Sequence, residues 1–125
     1  MKKHFSYKAI FTSNGQKEKV EMEADGSYFS SPYRILFNYQ QTHIEIEVNS
    51  KNILLKNNDS LLNLNTEQVV FNNYKLPYGY THFKSRVDLL EYNEDYLHLK
   101  YTLFDDVSEI TQAYIIITIK DILEN

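Results

Sequence analysis

The sequence predicts an all-β fold: a single domain spanning residues 1–125, built as a closed antiparallel up-and-down β-barrel of about eight to ten strands. Three observations carry this prediction. Apolar and polar residues alternate with a period of two along most of the chain, as in strands with one buried face. Turn signals interrupt the alternation at short intervals, which favours a meander over long crossovers. The 3.6-residue period of an amphipathic helix is missing, apart from one candidate turn at Asp121 to Asn125. A barrel is preferred to a sandwich because closure removes exposed edges, and a chain without Cys or Trp has no immunoglobulin Cys-Trp-Cys pattern.

The elements follow in order. Phe5, Tyr7, Ala9 and Phe11 alternate with Ser6, Lys8, Ile10 and Thr12. Asn14-Gly15 then forms a hairpin turn, because a type I′ turn needs positive φ at both central residues. Val20, Met22 and Ala24 alternate with Lys19, Glu21 and Glu23, and Asp25-Gly26 reads as an interruption, a bulge or a bend. Ile35, Phe37 and Tyr39 form one face of the next strand, and Ile44, Ile46 and Val48 oppose His43, Glu45 and Glu47 on the one after. Ile53 to Lys56 and Leu61 to Thr66 are short strands around Asn57-Asn58-Asp59-Ser60. Val69 to Leu76 is ended by Pro77-Tyr78-Gly79, where Pro fixes φ and Gly supplies a conformation other residues avoid. Phe83, Val87 and Leu89 oppose His82, Lys84, Arg86 and Asp88; Leu97, Leu99, Tyr101 and Leu103 oppose His98, Lys100 and Thr102. The last strand alternates Ala113, Ile115, Ile117 and Ile119 with Gln112, Tyr114, Ile116, Thr118 and Lys120. Directly opposed residues share a face, so Val87 is expected opposite Tyr101, Leu89 opposite Leu99 and Asp88 opposite Lys100, across a loop at Asn93-Glu94-Asp95.

Composition bounds the function. A chain of 125 residues hides roughly two-thirds of its unfolded surface, enough for a real core. The net charge of −4 argues against general nucleic-acid binding, which draws on a basic field. Without cysteine there are no disulfides, thiolate metal sites or thiol catalysis. The longest apolar run, Ala113 to Ile117, is of strand length, and Met1-Lys2-Lys3 leads into the polar His4-Phe5-Ser6-Tyr7-Lys8 rather than an apolar leader. A cytoplasmic protein with no membrane partner is the expectation.

Candidate chemistry is sparse. His43, Glu45 and Glu47 share a strand face at alternate positions about 7 Å apart, close enough for two of them to share a metal, but alternation with Ile44, Ile46 and Val48 makes that face a solvated exterior. Lys84, Arg86, His98 and Lys100 make a basic outer cluster diluted by Asp88. Three glycines cannot form a phosphate loop, no nucleophile elbow is present, and Asp105-Asp106 point to opposite faces and read as turn residues. The remaining signal is aromatic. Tyr28, Tyr78 and Tyr80, near Gly26 and Gly79, fall at strand ends, while Tyr39 and Tyr101 fall on inward positions. These five tyrosines are the candidate ligand-contacting residues at the barrel mouth and interior; the competing reading is that such large side chains fill the barrel and cover its ends.

Gly26-Ser27-Tyr28-Phe29, Ile35-Leu36-Phe37-Asn38-Tyr39-Gln40-Gln41 and, most specifically, Tyr74-Lys75-Leu76-Pro77-Tyr78-Gly79 resemble the YwiB-like family of small bacterial proteins. Strand order extends the resemblance from about Tyr7 to Ile119. It implies a calycin-like, lipocalin-type barrel from a low-GC Gram-positive bacterium and carries no catalytic residues across. Two positions depart from the family: Gln40 and Gln41, where members often carry an acidic residue, and Lys56-Asn57-Asn58, where they often carry Arg and Gly.

The expected function is a non-enzymatic binding module for a small apolar or amphipathic ligand, without cofactor or metal. The alternative is a protein-interaction module with a filled barrel, for which Tyr114 and Ile116 on the outer face suggest a homodimer surface. A fatty-acid carrier of the intracellular type is not expected. Arg34 and Arg86 are the only arginines, neither begins an Arg-x-Tyr pair, and both fall on outward positions. The dominance of Phe, Tyr, Ile and Leu among inward residues predicts a narrow interior.

Overall fold

The computed structural model describes residues 1–76, 79–106 and 108–122; of residues 74–76 and 79–81 it describes the backbone. Among the described residues ten strands form: β1 (Lys2–Ser13), β2 (Gln16–Ser30), β3 (Tyr33–Tyr39), β4 (Thr42–Asn49), β5 (Asn52–Asn57), β6 (Ser60–Asn65), β7 (Val70–Leu76), β8 (Gly79–Tyr92), β9 (Tyr96–Phe104) and β10 (Glu109–Lys120). They make one antiparallel sheet in the order β6-β5-β4-β3-β2-β1-β10-β9-β8-β7, curled into a nearly closed barrel. Each hairpin joins sequence neighbours through a short turn, and the β1–β2, β3–β4, β4–β5 and β5–β6 turns place residues at positive φ: Asn14 and Gly15, Gln40, Ser50 and Asn58. The terminal strands pair with each other from His4↔Lys120 to Thr12↔Gln112, so the ends of the chain seal the wall. The remaining seam lies between β6 and β7.

Alternation places the core as the sequence predicts. Phe37, Ile46, Leu99 and Ile117 are buried, with Phe5, Ile35, Ile53, Leu64 and Leu97 around them, and Val87 packs partly buried against the same cluster. The strand ends define two poles. One, hereafter the closed end, is capped by aromatic rings: Tyr28 meets Tyr33 edge-on at 5.5 Å, and Tyr33 meets Tyr92 at 4.8 Å. The Tyr33 hydroxyl donates to the carbonyls of Asn93 (2.9 Å) and Tyr96 (3.3 Å), and burial pushes its pKa up.

Three expectations are corrected. Asp25-Gly26 does not interrupt its strand: β2 runs through it, and Gly26 pairs with Lys3 on one side and Phe37 on the other. The glycine answers a close approach, since a Cβ there would sit 2.1 Å from the Leu36 carbonyl oxygen. The β8–β9 register begins as predicted at Val87↔Tyr101 and then shifts at a bulge, so Leu89 faces Lys100 and Leu90 faces Leu99. Leu90, rather than Leu89, therefore packs on the core. Asp88 has no rung opposite Lys100; its carboxylate accepts from Arg86 Nε at 2.9 Å and from the buried Thr102 hydroxyl at 2.5 Å. The candidate helical turn at Asp121 to Asn125 lies mostly outside the described residues.

Among the described residues, part of the β2 edge stays free. β3 takes up pairing with β2 only from Gly26 to Ser30, so Gln16 to Asp25 are paired on the β1 side alone.

Candidate functional site: an apolar chamber at the open end

β1, β3, β5 and β9 end, and β4, β6, β8 and β10 begin, at the pole opposite the aromatic cap. Inward residues near these termini enclose a chamber of about 220 Å³. Tyr7 and Phe11 of β1, Ile44 of β4, Leu55 of β5, Leu62 of β6, Phe83 of β8, Tyr101 of β9 and Ile115 of β10 form its apolar wall. Glu45, Lys56, Asn57, Ser60 and Thr111 supply a polar rim. The rim is braced where Ser13 and Thr111 share a hydroxyl hydrogen bond of 2.8 Å.

The chamber exists because the floor is full and the walls diverge. Phe37 stacks on Phe5 at 5.6 Å and meets Tyr7 at 5.8 Å, filling the middle of the barrel below the opening. Above that layer β2 leaves β3, and no ladder joins β6 to β7. Burial raises the Tyr7 phenol to about 12, so the group is protonated at neutral pH and its hydroxyl can donate. An apolar enclosure with a protonated phenol inside and Lys56 at its lip is chemically suited to a small molecule with an apolar body and a polar end.

Of the five candidate tyrosines, Tyr101 lines this chamber and is buried. Tyr39 lies at the same pole, at the β3–β4 turn, and does not line the chamber. Tyr28 belongs to the closed end, where its N–H donates to the Met1 carbonyl at 2.8 Å. Tyr28 and Tyr101 thus lie at opposite poles and border different depressions. Tyr28 instead borders a charged depression shared with Lys3, Glu94, Asp95, Lys120 and Asp121, in which Lys3 is ion-paired to Asp121. Tyr78 lies outside the described residues, as does the side chain of Tyr80, whose backbone pairs with Lys75.

Sequence reasoning missed Tyr7, Phe11, Leu62, Phe83 and Ile115 as wall residues. The usable signal was direction: in a meander, the ends of odd strands and the starts of even strands share one pole. Inward parity near those positions picks out this group.

The other sequence candidates have partners of their own, and one of them, Glu45, also borders the chamber. His43 Nδ1 bonds Asn38 Oδ1 at 2.8 Å, and Glu45 accepts from Arg34 Nε at 2.8 Å, which also places Arg34 on the outer wall. Among the described residues no three His, Asp or Glu side chains converge where they could hold a metal ion. The basic cluster is offset by acids: Lys84 pairs with Asp106 at 2.7 Å, and Arg86 with Asp88 at 2.9 Å. Tyr114 and Ile116 are half-buried on the outer face, where Tyr114 meets the His98 ring edge-on at 6.5 Å. No helix among the described residues is long and apolar enough to cross a membrane.

No family model matches the chain, and no curated protein matches it. Among solved structures it resembles the ywiB protein from Bacillus subtilis, with a TM-score of 0.67 and 12% sequence identity over 94% of this chain and 90% of that one. At that identity the likeness establishes the shared barrel fold.

Proposed function

We propose that this chain is a non-enzymatic binding module that takes one small apolar or amphipathic molecule in the open-end chamber. The observation that carries the reading is the chamber itself: apolar walls, the protonated Tyr7 phenol within, and a polar rim. Its size sets the ligand class. Drug-sized ligands occupy pockets of about 300–1,000 Å³, whereas an apolar cavity of about 150 Å³ admits benzene. A chamber of about 220 Å³ fits a ring-sized or short-chain molecule and excludes an extended long-chain fatty acid. The outward position of Arg34, held by Glu45, agrees, since a buried carboxylate would need an inward cationic partner.

The fold likeness, together with the Tyr-x-x-Pro-Tyr-Gly segment, supports placing the chain in the YwiB-like family and its barrel in the calycin-like, lipocalin-type group. On this reading the protein works in the cytoplasm, without cofactor.

Native mass spectrometry of the purified protein tests the proposal. The expected result is a population carrying a small co-purified molecule, or one acquired on adding ring-sized alcohols or phenols. Leu62→Trp fills the chamber and should abolish the adduct while the fold persists. Failure of all such compounds to bind, or undiminished binding to Leu62→Trp, would overturn the reading.

A further inference from the structure

The free edge of β2 carries a charge pattern complementary to itself. Residues 17–23 read Lys-Glu-Lys-Val-Glu-Met-Glu. Their odd positions, Lys17, Lys19, Glu21 and Glu23, are exposed and lie on the outer face, whereas Val20 and Met22 are half-buried on the inner face. β2 meets β1 along one side here, and among the described residues no other backbone hydrogen bond reaches positions 17–25.

The hairpin turn tells which backbone groups are free. Asn14 and Gly15 both have positive φ, the two-residue type I′ geometry, in which the flanking pair Ser13↔Gln16 exchanges both its hydrogen bonds. Bonded rungs then recur at every second pair, so even residues of β2 point their N–H and C=O groups toward β1. Odd residues 17, 19, 21 and 23 point theirs outward from the sheet.

We propose that this edge pairs with the same edge of a second copy, as an antiparallel two-fold β2–β2 contact centred on Val20. In that register Lys17 of one copy stands opposite Glu23 of the other, and Lys19 opposite Glu21. Two-fold symmetry repeats both pairs, giving four opposite-charge rungs. These are the residues whose backbone groups face outward, so each rung can exchange two hydrogen bonds. The register is selective. Shifting by one pair in either direction sets Glu21 against Glu21 or Lys19 against Lys19 on the axis, and like charges directly opposite are destabilising. A slip that pairs odd with even positions would set the inner face of one copy against the outer face of the other. Charges on an edge often serve to prevent association, but there the useful pattern repels its own copy, and this one attracts it. Existing contacts do not block the pairing. Lys19 reaches Glu21 of its own strand at 2.8 Å and Glu23 accepts from Ser6 at 2.9 Å, all at exposed positions.

Sedimentation velocity over the micromolar range tests the inference, with circular dichroism melts to confirm folding. The wild-type chain should show a concentration-dependent dimer. Lys17→Glu/Lys19→Glu makes all four outer positions acidic and should raise the dissociation constant on the order of 100-fold or more, because every rung turns from attraction to repulsion. Glu21→Lys/Glu23→Lys should do the same with basic charge, and mixing the two double variants should give a heterodimer. The quadruple variant with all four charges exchanged should dimerise like wild type. A wild-type chain that stays monomeric throughout would overturn the proposal. So would double variants that dimerise undiminished, or a quadruple variant that does not recover. The outcome is independent of ligand binding, since none of these residues lines the chamber.

Discussion

The carboxamide of Asn72 makes with Asn63 the two hydrogen bonds that a neighbouring strand would make. Its Nδ2 donates to the Asn63 carbonyl at 2.9 Å, and its Oδ1 accepts from the Asn63 N–H at 2.8 Å. Ser85 braces the clasp: its hydroxyl donates to the Asn63 carbonyl at 3.0 Å and accepts from Asn72 Nδ2 at 3.0 Å. Both Asn72 and Ser85 are buried. A side-chain amide thus stitches the β6–β7 seam, which no backbone ladder closes among the described residues; β6 itself carries the chamber residue Leu62, and β8, the neighbour of β7, carries Phe83.

The clasp has a measurable worth. Asn72→Ala removes both bonds at once and leaves Ser85 without an amide donor, so stability should fall by about 1–3 kcal/mol in denaturant melts. The Asn63 amide should exchange with solvent faster than its neighbours on β6. Ser85→Ala removes only the brace and should cost less. Equal stability of wild type and Asn72→Ala would show that the seam closes without the clasp.

Gly26 and Gly15 should respond to alanine for different reasons. At Gly26 the added methyl meets the Leu36 carbonyl oxygen and Phe37 Cβ, so the two strands must separate; a loss of at least about 2 kcal/mol is expected, in the upper range for overpacking. At Gly15 nothing lies within 4 Å of the new Cβ, and only the positive φ opposes it, for about 1–2 kcal/mol. Thermal melts of the two variants should rank Gly26→Ala as the less stable.

Alkaline pH should weaken the fold through Tyr7. Its pKa rises from about 10 in the unfolded chain to about 12 when folded, because burial disfavours the phenolate. Between those values the unfolded chain has released the proton and the folded one still holds it. Stability is therefore fully present below about pH 10 and is lost as pH climbs toward 12. Tyr33, also raised by burial, adds to the same trend. Tyr7→Phe should flatten the stability profile between pH 10 and 12, as measured by urea melts at stepped pH. An unchanged slope would place the Tyr7 hydroxyl in contact with water.

Much of the barrel was legible because a period of two assigns faces without reference to any partner. Phe37, Ile46, Leu99 and Ile117 follow from that rule alone. Residues 87–90 broke it for a physical reason: a bulge adds one residue to one strand, and with Leu at both 89 and 90 either register supplies an apolar inward side chain. Asp25-Gly26 misled because a glycine forced by close strand approach has the same composition as a turn. The seam was invisible because Asn72, inside the predicted strand Val69 to Leu76, shows no sequence sign that its amide pairs with Asn63. The chamber depends on volumes and on which pole each inward residue occupies, and a list of inward residues contains neither. Strand direction would have separated Tyr28 from Tyr101, since β2 and β9 end at opposite poles.

The most direct test of the ligand site is a methyl NMR titration with a ring-sized amphipathic probe such as benzyl alcohol. The account predicts saturable shifts at Ile44, Leu55, Leu62 and Ile115, which line the chamber, and none at Ile35 and Val48, which are packed toward the closed end. Leu62→Trp should remove them. Shifts spread evenly over both sets, or no shift at the four chamber methyls, would contradict it.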